Sequence, residues 1–275
     1  MLEVLATGPM STIQDLGRPG YQQLGVARSG ALDRAALVRA NLLVGNDSSA
    51  AGLELSLGRF RALFHSDAVV ALAGATAPVT IAGRPAGFDA PQPIQAGEEL
   101  RVAAPARGLH VYLAVAGGID VAPVLGSRST DTLSGLGPPP LRPGARLPFG
   151  SFHGPSATPP PTVDPPAAIR VRFGPRDDWF TDPSALTRNP YRLSTSNRIG
   201  ARLDGPPLTR LIPGELPSEG LIPGAIQVPG DGRPIVFLAD HPATGGYPVI
   251  AVVHPDDLAF VAQARPGASV VFRGP

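Results

Sequence analysis

The chain carries 33 glycines and 34 prolines in 275 residues. Proline removes a backbone donor, and glycine costs about 1 kcal/mol in a helix interior. No long helical architecture survives that density, whereas short strands joined by tight turns tolerate it. The apolar pattern agrees. Leu53–Leu57, Val69–Leu72, Val79–Ile81, Leu100–Val102, His110–Val115, Ile169–Phe173, Ile235–Leu238, Val249–Val253 and Ser269–Phe272 read as strands. The opening Met1-Leu-Glu-Val also begins like one. Asp33–Val44 has apolar residues at helical spacing and is stopped by Gly45-Asn46. Asp256–Ala264 starts with acids and ends before Arg265-Pro-Gly, and a short helix is expected after Asp177-Asp178. The expected class is mainly β with few short helices.

Residues 155–166 (PSATPPPTVDPP) lack any periodic pattern and read as a semi-rigid linker. Domains are therefore expected at 1–154 and 169–275, joined by residues 155–168. Both parts contain a glycine-rich turn, a short helix and a later glycine-containing turn before a strand, at Gln95-Ala-Gly-Glu and Arg265-Pro-Gly-Ala, which hints at two related barrels. The Asp33–Val44 helix is expected to cover a barrel end.

Composition removes whole classes of chemistry. There is no cysteine, hence no disulfide, thiolate metal site or cysteine nucleophile. All 23 basic residues are arginine. A GC-rich genome accounts for that bias, and the exclusion holds either way: no phosphate-loop lysine, no Schiff base, no biotinyl-lysine. A net charge of +1 with interspersed signs argues against nucleic-acid or membrane partners. The longest apolar runs fall short of a bilayer span, and the N-terminus lacks a signal-peptide pattern, so a cytoplasmic location is expected. Five scattered histidines show no HxH or HExxH spacing, so no metal site is expected, and there is no GxSxG elbow.

Three clusters combine glycines with polar side chains. Thr12–Asp33 (TIQDLGRPGYQQLGVARSGALD) offers Gln14, Asp15, Arg18, Ser29 and Asp33 among glycines that let a backbone approach a ligand. Asp33 suits an N-cap as well as proton handling, and Asp15 with Arg18 suits a turn-fixing ion pair as well as a site. Leu125–Thr130 places Arg128 among hydroxyls, a setting for a carboxylate or phosphate or an ordinary polar loop. Ser194–Tyr247 contains Arg198 and Gln227 and ends in Ala239-Asp240-His241-Pro-Ala-Thr244-Gly-Gly-Tyr247. That turn between apolar strands suits a ligand at a barrel mouth, while His241 and Tyr247 also suit packing.

In order, the segments TIQDLGRPGYQQLGVARSGALDR, ANLLVGND, YLAVAGGID, LGSRST, GAIQVPGDGRPIVFLAD, TGGYPVIA and AQARPGASVVF resemble one family over nearly the whole chain. It is the biotin-dependent carboxyltransferase family that includes the C component of 5-oxoprolinase, KipA-type proteins and the allophanate hydrolase subunit 2-like proteins. The resemblance implies two cyclophilin-like β-barrels with a ligand cleft between or beside them. It implies ATP-dependent opening of 5-oxoproline to glutamate, together with a KipI-type B component and a LamB/YcsF-type A component. ATP would be held with a partner's help. Arg18, Arg128 or Arg198 would hold the substrate carboxylate, with Gln14, Ser29, Gln227, Thr244 and Tyr247 as further binding groups. Asp15, Asp33 or Asp240 would manage protons. Carboxyl transfer from carboxybiotin to a urea-like or amide acceptor is the alternative, with biotin on a separate carrier. A third is a non-enzymatic regulatory partner of a KipI-type kinase inhibitor. The three loops are expected to converge on shared clefts. Asp240→Ala or Arg128→Ala should then abolish activity with little loss of stability. Two motifs depart from the common pattern. Asp240-His-Pro-Ala-Thr stands where relatives often have Asp-Arg-Gln-Thr-Thr, and Ser196-Asn-Arg-Ile-Gly where they often have Ser-Asp-Arg-Met-Gly.

Overall fold

The computed structural model describes all residues except 152–153, 155–157, 160, 215 and 275. The chain is mainly β. It forms two units, the first comprising Met1–Arg18 and Ser29–Thr162, the second Pro19–Arg28 and residues 163–275. The break between 162 and 163 lies inside the proline-rich segment, part of which falls outside the described residues. Residues 19–28 belong to the second unit although both flanks belong to the first. Gln22 accounts for this locally, because its side-chain amide donates to the carbonyl of Leu221.

The first unit holds two sheets. One orders its strands Arg146–Leu147, Leu2–Thr7, Phe60–Phe64, Glu99–Val102, Val79–Ile81 and Arg84–Ala86; the other runs Met10–Gln14, Gly52–Ser56, His110–Val115, Ala68–Gly74 and Gln92–Ile94. Their inner faces share one core containing Leu2, Val4, Leu53, Leu55, Phe60, Phe64, Leu72 and Leu113. The period of two along each strand sends these residues inward. The helix Arg34–Leu43 does not cover a barrel end. It lies on the outer face of the second sheet, packing Leu37 and Ala40 against Ala71, Ala73, Tyr112 and Ala114. The reason is two-sided burial: His110–Val115 is buried at every position, so its outward residues also need cover. Asp33 caps this helix, its carboxylate accepting from the Ala36 N–H at 3.0 Å. The helix entrance is pinned by buried Glu54, which accepts from the Tyr112 hydroxyl at 2.7 Å and the Leu32 N–H at 2.9 Å. Burial, then the Glu54 charge, pushes the Tyr112 phenol well above its ordinary pKa.

The second unit is a closed barrel of seven strands, in the order Ile169–Phe173, Val249–Val253, Ala225–Gln227, Ile235–Phe237, Gly200–Asp204, Pro190–Ser196 and Ser269–Arg273. Asp257, at the start of helix Leu258–Gln263, ties that helix to the first barrel strand. It accepts from the Arg170 backbone N–H at 2.7 Å and from the guanidinium at 2.6 and 3.0 Å. The Arg170 hydrogen bond outweighs burial and holds the Asp257 carboxyl below the usual carboxylate range. A depressed folded-state pKa stabilises above the unfolded value of about 4 and loses that contribution as pH falls through the folded value. Asp257→Asn is therefore expected to lower the melting temperature at pH 7, with the gap to wild type closing below pH ~4. Thermal unfolding between neutral pH and about pH 2.5 checks this; a gap constant with pH would refute it.

Candidate functional site

A cleft of about 430 Å³ opens on the second unit, lined by residues of four barrel strands and of the 242–247 turn. Strand register explains its composition. Thr195 pairs with Arg202, Arg202 with Ile235, and Ile235 with Gln227, so these four stand in one row across four strands. Their chain neighbours Ala201, Val236 and Ile226 are fully buried in the barrel. Alternation therefore puts the row on the barrel's outer face, and the cleft lies between that face and the turn.

The turn is held from several directions. Thr244–Gly245 pairs with Glu219–Gly220, and Glu219 is bound by the Arg176 guanidinium, which holds its carboxyl below the usual range. Gln227, outward-facing yet only 2% exposed, donates from Nε2 to the Tyr247 carbonyl at 2.7 Å. Gly245 lies close against this amide: a Cβ there would fall 2.9 Å from Nε2, so a larger residue would push the Gln227 side chain aside. At the base of the turn, Arg198 and Asp240 form a buried two-pronged ion pair, Nε to Oδ2 at 2.8 Å and Nη2 to Oδ1 at 2.9 Å. His241 Nδ1 lies 2.7 Å from the Pro242 carbonyl, and its ring meets Phe237 edge-on. Tyr247 is half-exposed at the cleft, with the Arg210 guanidinium 5.7 Å from its ring centroid.

The walls are largely apolar: Ile199, Ile235, Phe237, Pro242 and the Tyr247 ring. Asn197 Oδ1 is occupied by the Ile199 and Gly200 N–H groups. Arg202 is exposed in the cleft and has no hydrogen bond or ion pair among the described residues. Neighbouring Arg176, Arg198 and Arg233 are each matched to an acid. Among the described residues the lining contains no Asp, Glu or His. Such a cleft can hold a small anionic molecule against apolar walls and an amide, and its described lining supplies no carboxylate or imidazole for proton transfer.

Most sequence-predicted residues of the first unit gather elsewhere, in a buried polar cluster. Asp15 accepts from the Ser127 and Ser129 hydroxyls, both at 2.6 Å, from the Gly17 N–H at 2.8 Å and from the Arg128 N–H at 2.6 Å. The Gln14 amide donates to the Thr130 carbonyl and Thr12 hydroxyl, and Ser29, at a strained φ of 55°, donates to the Thr130 carbonyl. The Gln14–Asp33 and Ser127–Thr130 loops thus meet. Asp15 binds the opposing loop, and Arg18 donates instead to the carbonyls of Ser129 and Val124. The Arg128 side chain turns to the surface, to Asp120 at 2.9 Å and the Val121 carbonyl. In the second unit Gln227 and Tyr247 line the cleft, Arg198 and Asp240 bind one another below it, and Thr244 is exposed beside it. Arg202 lies in no glycine-rich polar motif; the signal that marks it is the alternation of Ala201 and Leu203 with Arg202 along the strand Gly200–Asp204.

No helix of the described residues is long and apolar enough to cross a membrane, and no group of three metal-ligating side chains occurs among them. The chain is 40% identical to the 5-oxoprolinase C component of Escherichia coli (strain K12), over 99% of this chain and 90% of that one. The crystal structure of TTHA0988 superposes with a TM-score of 0.89 at 36% identity, over 99% of this chain but only 55% of that longer one. The K. lactis urea amidolyase matches with a TM-score of 0.92 at 31% identity, over 98% of this chain and 18% of the other. The profile of the family described as carboxyltransferase domain, subdomain A and B, matches residues 24–274. With its sheets, barrel and ordered motifs accounted for along the same length, the chain belongs to that carboxyltransferase-domain family.

Proposed function

We propose that this chain is the C component of a cytoplasmic, ATP-dependent 5-oxoprolinase, and that the outer-face cleft of its barrel receives 5-oxoproline. The observation that carries the reading is the pairing of an uncommitted cation, Arg202, with an apolar wall and the Gln227 amide, in a cleft whose described lining has no acid or base. A compact lactam carboxylate matches this: its carboxylate meets the guanidinium and its ring meets Phe237 and Tyr247. The cleft, about 430 Å³, exceeds a lactam alone and leaves room for an activated form or a partner's group.

Lactam opening adds water across a stable C–N bond, and ATP supplies the activation. The chain has no lysine and no phosphate-loop motif, so ATP is held by arginines and backbone amides or by a partner protein. The proton-handling groups come from partners, a KipI-type B component and a LamB/YcsF-type A component, and the chain alone is inactive. The likeness to urea amidolyase supports a second reading, carboxyl transfer from carboxybiotin to an amide or urea-like acceptor. In that case a carrier delivers biotin, since no lysine here can bear it. Co-purification with the products of neighbouring genes, followed by assay of 5-oxoproline-dependent ATP hydrolysis, tests the proposal. Turnover by the isolated chain, or a complex inert toward 5-oxoproline, refutes it.

A further inference from the structure

Arg18 is 1% exposed, as deeply buried as any core leucine. Its guanidinium donates from Nη2 to the Ser129 carbonyl at 2.5 Å and from Nε to the Val124 carbonyl at 3.5 Å. No carboxylate pairs with it among the described residues. Asp15, three positions earlier, is taken up by four donors of the two loops. Arg198, buried to a similar degree, has Asp240. Among the described residues Arg18 Nη1 has no hydrogen-bond partner, nor have Gln14 Oε1 and Thr130 Oγ1. All three atoms belong to one small region: Arg18 is bonded to Ser129, and Gln14 to the Thr130 carbonyl. Gly137 packs closely over this region: a Cβ there would fall 2.0 Å from the Ser129 oxygen and 3.2 Å from Arg18 Nη2, so only glycine lets the loop close on Arg18.

Buried polar atoms in folded proteins are almost always paired, and an uncompensated buried cation is far costlier than a neutral group. A monovalent oxyanion removes both penalties at once. We propose that Arg18 forms the cationic floor of a closed oxyanion site in the first unit, taking a planar anion of carboxylate or bicarbonate size. Arg18 Nη1 and the Thr130 hydroxyl donate to its oxygens, and Gln14 Oε1 accepts from the ion's own O–H where it has one. The site shares no residue with the second unit's cleft, so it stands whether or not that cleft binds 5-oxoproline.

Ligand linkage tests it on the full chain. Melting temperature is followed at constant pH and ionic strength, balanced with methanesulfonate, as bicarbonate, formate or chloride rises from about 0.1 to about 100 mM. The expected result is a rise of about 3–6 °C with bicarbonate and formate and little with chloride. Arg18→Met removes this dependence, and Thr130→Val weakens it several-fold. A guanidinium that only braces the loop gives a constant offset in Arg18→Met with no anion dependence in wild type. Equal rises with all three anions, no rise at all, or a slope that persists in Arg18→Met would each overturn the proposal. Should Arg18→Met not fold, an unchanged slope in Thr130→Val overturns it instead.

Discussion

Replacing Arg202 with glutamine is expected to weaken 5-oxoproline binding by the assembled enzyme roughly 10- to 100-fold, the worth of a charge-assisted hydrogen bond of about 1.5–3 kcal/mol. The melting temperature should barely move, because Arg202 has no partner to lose among the described residues and faces outward from the barrel. Two controls make the result specific. An uncharged lactam ring without the carboxylate should bind wild type and Arg202→Gln equally poorly. Arg233→Gln removes a nearby arginine already paired to Asp204, and should leave binding intact. Equal affinity for 5-oxoproline in wild type and Arg202→Gln would show that the carboxylate is held elsewhere. A cleft that binds nothing in either protein would instead remove it from the reaction altogether.

The second large effect is on stability. Asp240 is completely buried and its carboxylate meets Arg198 through two hydrogen bonds. Removing one member of such a pair strands the other charge in the interior, at a cost of about 3–5 kcal/mol. Asp240→Ala is therefore expected to lower the melting temperature by roughly 10 °C or more. This reverses the expectation from sequence, in which that change spares stability. Arg198→Met combined with Asp240→Leu should recover much of the loss, because it removes both charges and keeps apolar volume. Residual activity of Asp240→Ala should follow its folded fraction. A variant that melts like wild type but is inactive would return Asp240 to a direct role in proton transfer. The pair's place at the foot of the 242–247 turn explains why acid and arginine occur in separate motifs, 42 residues apart. Each motif starts where the chain leaves a barrel strand, and the Asp240 N–H also bonds the Arg198 carbonyl.

Much of the fold was legible in the residues. Glycine and proline density excluded helical architectures, and β-branched runs marked Val79–Ile81, His110–Val115, Ile169–Phe173 and Val249–Val253 at the bounds the structure has. Asp33 and Gly45 bracketed the first helix, which runs Arg34–Leu43. Polar strands were harder to see. Met10–Gln14 buries Ser11, Thr12 and Gln14, which no hydrophobic periodicity reveals, because what buries them is a hydrogen-bonded loop from over a hundred residues away.

The ordered motifs by themselves determined the family and named the loops that carry polar chemistry, because glycines and polar side chains clustered on turns serve no purpose in strand packing. They did not determine what each side chain does. Asp15, Asp240 and Arg128 are all candidate site residues in the sequence, yet one binds a facing loop, one an arginine and one the surface. Only tertiary structure chose, because a hydrogen-bond partner is fixed by which distant segments are brought opposite. The row Thr195–Arg202–Ile235–Gln227 has the same origin. Alternation along one strand tells which residues share a face, but the register between strands that are not neighbours in sequence decides which of them stand side by side, and that register is a property of the closed barrel.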